Sequence, residues 1–167
     1  AQSETSDDGH HDLVADCAGA TRVGETPGLR GVRGEMLYLQ TSDVELSRPV
    51  RLIHPRIPLY IVPRGGGLFM CGATMIETDD GGPITARSLM ELLNAAYALH
   101  PAFGEARLVE TGAGVRPAFA NNLPRALRTG QTITINGLYR HGFLLSPALA
   151  AEAADLALAQ DLKGDAA

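Results

Sequence analysis

Cysteine is scarce in this sequence: only Cys17 and Cys71 occur among 167 residues. Each sits in an apolar, strand-like segment, which reads as two reduced core thiols and a cytoplasmic address. Basic charge is also in short supply. Fourteen Lys and Arg against nineteen Asp and Glu leave a net charge of −5, without the basic face that nucleic-acid binding requires. No apolar run reaches the roughly 18–20 residues needed to span a bilayer, so no membrane partner is expected. The polar, acidic start AQSETSDDGHH lacks a basic stretch followed by an apolar one, so no signal peptide is expected either. His10, His11, His54, His100 and His141 are scattered without metal-ligand spacing, so no metal is expected. There is no GxSxG or Walker loop, and Ser146 reads as a first-turn helix residue without a base partner.

What is present suffices for a globular core: 45% of residues are apolar and 20% charged. Asp12–Gly19 is a short apolar run closed by glycine, predicted as a buried strand, and Thr21–Arg30 reads as a connector. Val32–Thr41 and Val50–His54 have strand composition, the second stopped by Pro55. Ile57–Arg64 and Leu68–Met75 flank Gly65, Gly66 and Gly67 and predict a hairpin. A two-residue turn would set Tyr60 opposite Cys71, with Met75 on the face of Tyr60; a three-glycine turn would send Met75 to the other face. After the acidic loop Glu77–Gly82, Thr85 is a plausible N-cap for a helix running to His100, with Leu89, Leu92, Leu93 and Ala96 in one stripe. Glu105–Val115 and Thr132–Ile135 return to strand character, and Gly142–Leu162 is helical in composition before the polar tail Lys163–Ala167. Strands clustered around one inserted helix, with another at the end, indicate an α+β protein.

Two segments could carry chemistry. In INGLYRHGFLLSP (Ile135–Pro147) a strand enters a basic, aromatic turn and then a helix beginning near Gly142. Free N–H groups and the positive helix end suit an anion, or a ring that becomes anionic on reduction; equally, the segment could be a plain connection. In GAGVRP (Gly112–Pro117) the proline biases Arg116 toward extended backbone. Its planar fork suits a carboxylate, although a surface arginine at a strand end fits the same pattern. Tyr60 and Met75, taken alone, read as packing residues.

The stretches LRGVRGEMLYLQT, RPVRLIHPRIPLYIVPRGGGLFMCGATMIE, GAGVRPAFANNLPR and NGLYRHGFLLSPA, in this order, resemble the thiamine-biosynthesis glycine oxidases. These belong to the D-amino-acid oxidase superfamily of FAD-dependent oxidoreductases, and the likeness runs from Asp12 to about Leu158. It implies a disordered tail and FAD-domain strand over 1–28, and a mostly antiparallel substrate-binding sheet with flanking helices over 29–118. Residues 119–167 would then return to the FAD-binding domain and supply its C-terminal helix. It implies that Arg116 holds the substrate carboxylate, that Tyr60 adds a hydroxyl contact, and that Met75 bounds a small side-chain pocket. Arg140 would meet the substrate at the flavin edge, while Leu138, Tyr139, Arg140, His141, Gly142, Phe143 and Leu144 would wrap the flavin ring. Asp12–Gly19 resembles the strand ending beside FAD, with Ala18 where the family carries a larger basic residue.

The implied reaction is hydride transfer from the Cα of glycine or another small amino acid to flavin N5. It needs a neutral amine and no side-chain general base. Molecular oxygen would reoxidise the flavin with release of hydrogen peroxide, and the imine would hydrolyse or feed thiazole synthesis. A quinone-linked D-amino-acid dehydrogenase and a catalytically inert product are the alternatives; a homo-oligomer is compatible with each. The family's GxGxxG fingerprint for the FAD pyrophosphate does not occur here, so the chain resembles the C-terminal portion of such an oxidase. The purified chain is therefore expected to be colourless. A flavin absorbance band in the visible spectrum of the purified protein overturns that expectation.

Overall fold

A computed structural model describes residues 12–54 and 59–159. The expected disordered tail with His10 and His11, Pro55, the first two positions of the strand predicted over Ile57–Arg64, and the chain beyond residue 159 lie outside the described residues. The strands are β1 (Val14–Asp16), β2 (Leu29–Gln40), β3 (Val50–Leu52), β4 (Leu59–Pro63), β5 (Leu68–Gly72), β6 (Arg107–Phe119), β7 (Arg125–Thr129) and β8 (Thr132–Asn136). The helices are α1 (Ala86–Leu99) and α2 (Gly142–Leu158). The protein is α+β, with mixed but mostly antiparallel sheets. It divides into two compact units, Arg30–Pro117 and the remainder, formed by Ala1–Leu29 with Ala118–Ala167.

The unit Arg30–Pro117 is built on a five-stranded sheet in the order β3-β4-β5-β2-β6. Burial alternates along the second half of β2: Glu35, Leu37 and Leu39 are buried, while Met36, Tyr38 and Gln40 are partly exposed. The buried side is the core, where Leu37, Leu39, Leu59, Ile61, Phe69 and Cys71 pack with Leu92, Ala95, Ala96 and Phe103. Each large side chain removed from water there contributes about 1.5–3 kcal/mol. Helix α1 starts where its sequence signals it: the Thr85 side chain accepts from the Ser88 N–H. Leu92 and Ala96 of the predicted stripe are buried, and Leu89 and Leu93 pack against the same cluster.

The turn between β4 and β5 uses all three glycines. The Arg64 N–H donates to the Leu68 carbonyl at 2.8 Å, and Gly65, Gly66 and Gly67 all take positive φ, at 86°, 58° and 75°. This register pairs Tyr60 with Gly72 and Ile61 with Cys71. It is the three-glycine alternative of the two left open by sequence, but past Gly72 the pairing slips by one residue, with Ile76 opposite Arg33, so the turn alone does not set the side taken by Met75.

In the other unit, β8 lies between β1, which runs parallel to it, and β7, which runs antiparallel. Strand β7 has no counterpart among the sequence-based expectations. Its pairing is specified by the turn at Gly130 (φ 61°) more than by its own composition. Helix α2 packs on β7 and β8, and the Arg128 side chain donates to the carbonyls of Leu156 (2.7 Å) and Ala157 (3.2 Å), satisfying the end of the helix. Pro147 lacks the N–H that would bond the Phe143 carbonyl, and the Ser146 hydroxyl donates to that carbonyl at 3.4 Å.

Strand β1 corrects the expectation of a buried strand. It is an edge strand, Val14 is 46% exposed, and Cys17 just beyond it is exposed. Three residues with one sheet neighbour cannot bury both faces. Cys71 is a core thiol as expected, and burial pushes its pKa up to about 12. With a thiol reagent at pH 8, the native protein should modify one cysteine rapidly, and unfolding in denaturant should release the second. Two fast-reacting thiols in the native protein refute the core placement of Cys71.

Candidate active site

The open face of the five-stranded sheet carries a cleft of about 340 Å³, lined by residues that include Gly34, Met36, Tyr60, Gly112 and Arg116. Its floor follows from register. Met36 and Tyr60 both pair with Gly72, so the three side by side form a row across β2, β5 and β4. A Cβ on Gly72 would lie 3.0 Å from the Tyr60 hydroxyl and 3.4 Å from the Met36 Cβ; one on Gly112 would lie 3.3 Å from the Met36 Cγ. Small residues thus alternate with large ones, which lets the Tyr60 ring and the Met36 side chain lie over neighbouring strands.

Arg116 enters from β6, the neighbour of β2. It is half-buried, and its Nη1 donates to the Thr74 carbonyl at 3.3 Å. A Cβ on Gly34 would fall 2.0–2.2 Å from three guanidinium atoms, so the flat group lies directly on the β2 backbone.

The opposite side of β2 holds a buried charge pair. Arg33 and Glu35 are 1% and 0% exposed, and Arg33 Nε donates to Glu35 Oε1 at 3.0 Å. Arg33 also donates to the carbonyls of Asp80 (2.6 Å) and Pro83 (2.5 Å). Glu35 Oε1 accepts from the Thr85 N–H at 3.1 Å, and Oε2 accepts from the Thr74 hydroxyl at 3.1 Å. Burial raises the pKa of Glu35, but hydrogen bonds from Ser88, the Thr85 N–H, Arg33 and Thr74 outweigh it. The carboxyl is held below its usual range. Glu35 also lines the cleft, yet with its oxygens so engaged it is a structural anion and no proton acceptor.

In the other unit, the turn after β8 is fixed by Asn136, which is 1% exposed. Its Nδ2 donates to the Gly19 carbonyl at 2.9 Å, and its Oδ1 accepts from the Gly137 N–H at 2.7 Å. Gly137 takes φ 79°, and a Cβ there would lie 2.4 Å from the Phe119 ring, so no other residue fits. Tyr139 adopts φ 51°, and α2 starts at Gly142 with Phe143 fully exposed and Leu144 75% exposed.

Among the residues singled out by sequence, Tyr60 and Arg116 are brought to one cleft. Met75 lies past the end of β5, 45% exposed and outside that cleft's lining. Leu138, Tyr139, Arg140, His141, Gly142, Phe143 and Leu144 form the turn and first helical residues of the second unit. Gly34, Gly72 and the Arg33–Glu35 pair were not singled out. For Gly34 and the Arg33–Glu35 pair the signal was the charged tripeptide R-G-E inside an otherwise strand-like run. Among the described residues no group of His, Cys, Asp and Glu could hold a metal ion, and no helix is long and apolar enough to cross a membrane.

Replacing Glu35 by Gln leaves buried Arg33 with only the exposed Asp80 carboxylate, 3.3 Å away, as counter-charge, at a cost of about 3 kcal/mol near neutral pH. Because the folded pKa of Glu35 is lowered, its contribution is complete above the unfolded value of roughly 4.3 and is lost as pH falls through the folded value. The stability gap between wild type and Glu35→Gln should therefore narrow in urea titrations below about pH 4. A gap that stays constant down to acid would show that Glu35 titrates no lower when folded than when unfolded.

Comparison with known proteins places these features in a family context. The model of the DAO family, FAD dependent oxidoreductases, matches residues 2–156. A Rhizobium etli protein named as a thiamine biosynthesis oxidoreductase, ThiO, is 72% identical over 144 residues, covering 86% of this chain and 44% of that protein. A glycine oxidase of Geobacillus kaustophilus is 31% identical over 156 residues, covering 86% of this chain and 39% of its own. The crystal structure of glycine oxidase from Geobacillus kaustophilus superposes with a TM-score of 0.71 at 28% identity, covering 86% of this chain and 40% of the other. The chain spans less than half the length of these relatives.

Proposed function

The chain belongs to the FAD dependent oxidoreductase family, and from that premise we propose that it serves the oxidative deamination of glycine or another small amino acid. The products would be an imine or 2-oxo acid and hydrogen peroxide, and the reaction would feed thiazole synthesis for thiamine in the cytoplasm. The observation that carries this reading is the joint presence of Arg116 and Tyr60 in one small cleft floored by glycines. A guanidinium and a phenol offer a carboxylate charge-assisted and neutral donors. Molecular oxygen is the electron acceptor in this reading.

On this reading the unit Arg30–Pro117 is the substrate-binding domain, and the unit with β1, β7, β8 and α2 is part of an FAD-binding domain. The turn Leu138–Leu144 fits the edge of a flavin. Gly142 carries no Cβ, and one added there would meet nothing nearer than the Leu138 Cβ at 3.9 Å. The N–H groups of Gly142, Phe143 and Leu144 open the helix without intrahelical acceptors, where they stabilise negative charge. Bound there, the flavin supplies a two-electron acceptor for the substrate Cα–H bond. The chain's own residues bind and orient: Arg116 holds the carboxylate, Tyr60 adds its hydroxyl, and Arg140 is assigned to the substrate at the ring edge. No side-chain base is assigned: the Glu35 carboxylate lies on the buried side of β2 and its oxygens are already engaged. The role of Met75 in bounding the side chain rests on its family motif. On this reading the chain contributes residues at the flavin's ring edge, and none here is assigned to the FAD pyrophosphate, whose GxGxxG fingerprint the sequence does not contain.

The test is peroxide release from glycine, sarcosine and D-alanine by a chimera in which residues 12–159 replace the matching stretch of the Rhizobium etli relative. Glycine and sarcosine should be oxidised. Arg116→Ala should raise the KM for glycine roughly a hundredfold, as loss of a charge-assisted bond of about 3 kcal/mol implies. An unchanged KM would sink the assignment of Arg116.

A further inference from the structure

Gly34 is occupied by glycine for a reason its backbone does not supply. Unlike the three glycines of the β4–β5 turn, it has no positive φ, so an L side chain could adopt its conformation. What a side chain cannot do is share the space: the three nearest atoms to a Cβ there, at 2.0, 2.1 and 2.2 Å, all belong to the Arg116 guanidinium. The nearest obstruction is therefore one functional group, at the movable end of its side chain.

The second contact to that guanidinium is equally constrained. Arg116 Nη1 donates to the Thr74 carbonyl at 3.3 Å. Thr74 lies between the end of β5 and Ile76, which pairs again with Arg33 in an isolated bridge. Thr74 itself is held by Glu35. The Glu35 N–H donates to the Thr74 Oγ1 at 2.9 Å, that hydroxyl donates to Glu35 Oε2 at 3.1 Å, and the Thr74 N–H donates to the Glu35 carbonyl at 3.2 Å. Glu35 is anchored in turn by Arg33 and by the Thr85 N–H at the start of α1. A continuous path of hydrogen bonds thus runs from the helix start to the carbonyl on which Arg116 rests.

We infer that Gly34, Glu35 and Thr74 are positioning residues for the Arg116 guanidinium, setting where a bound carboxylate sits in the cleft. This rests on the reading of Arg116 as the carboxylate clamp. The arrangement assigns a division of labour to three adjacent β2 positions: Arg33 and Glu35 hold the frame on the buried side, while Gly34 clears the open side. A fork of donors recognises a carboxylate bidentately only in a narrow range of orientations, so a displaced guanidinium keeps its charge and loses its geometry.

The test follows the Arg116 Nε–Hε resonance of the full chain by NMR, assigned by its loss in Arg116→Ala, while glycolate is titrated in. Glycolate carries the carboxylate and no amine. In wild type the resonance should shift on addition. Gly34→Ala should move the resonance before any glycolate is added and weaken glycolate binding tenfold or more, with the thermal unfolding midpoint close to wild type. Thr74→Val, which loses both hydroxyl bonds to Glu35, should weaken binding likewise, and Thr74→Ser should restore it. In an Arg116→Ala background, Gly34→Ala should have no further effect. Unchanged glycolate affinity in Arg116→Ala overturns the clamp and with it this inference. A clamp lost in Arg116→Ala but intact in Gly34→Ala, with an unmoved resonance, overturns the positioning alone.

Discussion

A carboxylate with no solvent exposure in the middle of a sheet must be given donors by the protein, and Glu35 obtains them from three directions. Arg33 supplies charge from the same strand, Thr74 supplies a hydroxyl from beyond β5, and Thr85 supplies the first N–H of the helical segment. Desolvating an ion costs several kcal/mol, and only a fully satisfied arrangement recovers it. The consequence is geometric. The 79–85 loop, the start of α1 and the end of β5 cannot move independently of β2 without exposing or orphaning a charge.

That constraint explains why a polar cluster sits beside an apolar core without weakening it. From Leu37 onward β2 faces α1 with leucines, and association there is non-directional burial. At Arg33 and Glu35 the same side of the strand becomes directional, and hydrogen bonds specify one register and one loop path. On its other side β2 presents Gly34 and Met36 to the cleft, so space is left there where the core side is filled. One strand therefore supports packing on one side and a cleft on the other, as the period of two in a strand allows.

The unit containing β8 solves a similar problem on a smaller scale. Buried Asn136 gives its amide to the Gly19 carbonyl and takes the Gly137 N–H, tying the loop after β1 to the turn before α2. Glycine at 137 then passes against the Phe119 ring, which also stacks beneath Arg125 with its Cζ 4.3 Å from the ring centroid. The turn that leads into α2 is thereby held from its N-terminal side by side-chain bonds, and the first turn of the helix presents its N–H groups and apolar side chains outward.

Much of this was legible without coordinates, because it is local. The Thr85 cap, the apolar stripe of α1, the triple-glycine turn and the strand-to-helix passage at Gly142 follow from propensity, periodicity and backbone freedom within a few residues. The ordered motifs likewise sufficed to mark Arg116 and Tyr60 as a pair of interest. What sequence left open or misread was non-local. The turn's register depended on which glycines closed the loop, and the slip that sets Ile76 opposite Arg33 intervenes before Met75. The exposure of Cys17 depended on β1 lying at a sheet edge. The reason for glycine at 34 lay some eighty residues away in Arg116. A sequence records which side chains exist and how neighbouring ones alternate; which distant group occupies the space beside a missing Cβ is decided only when strands pair.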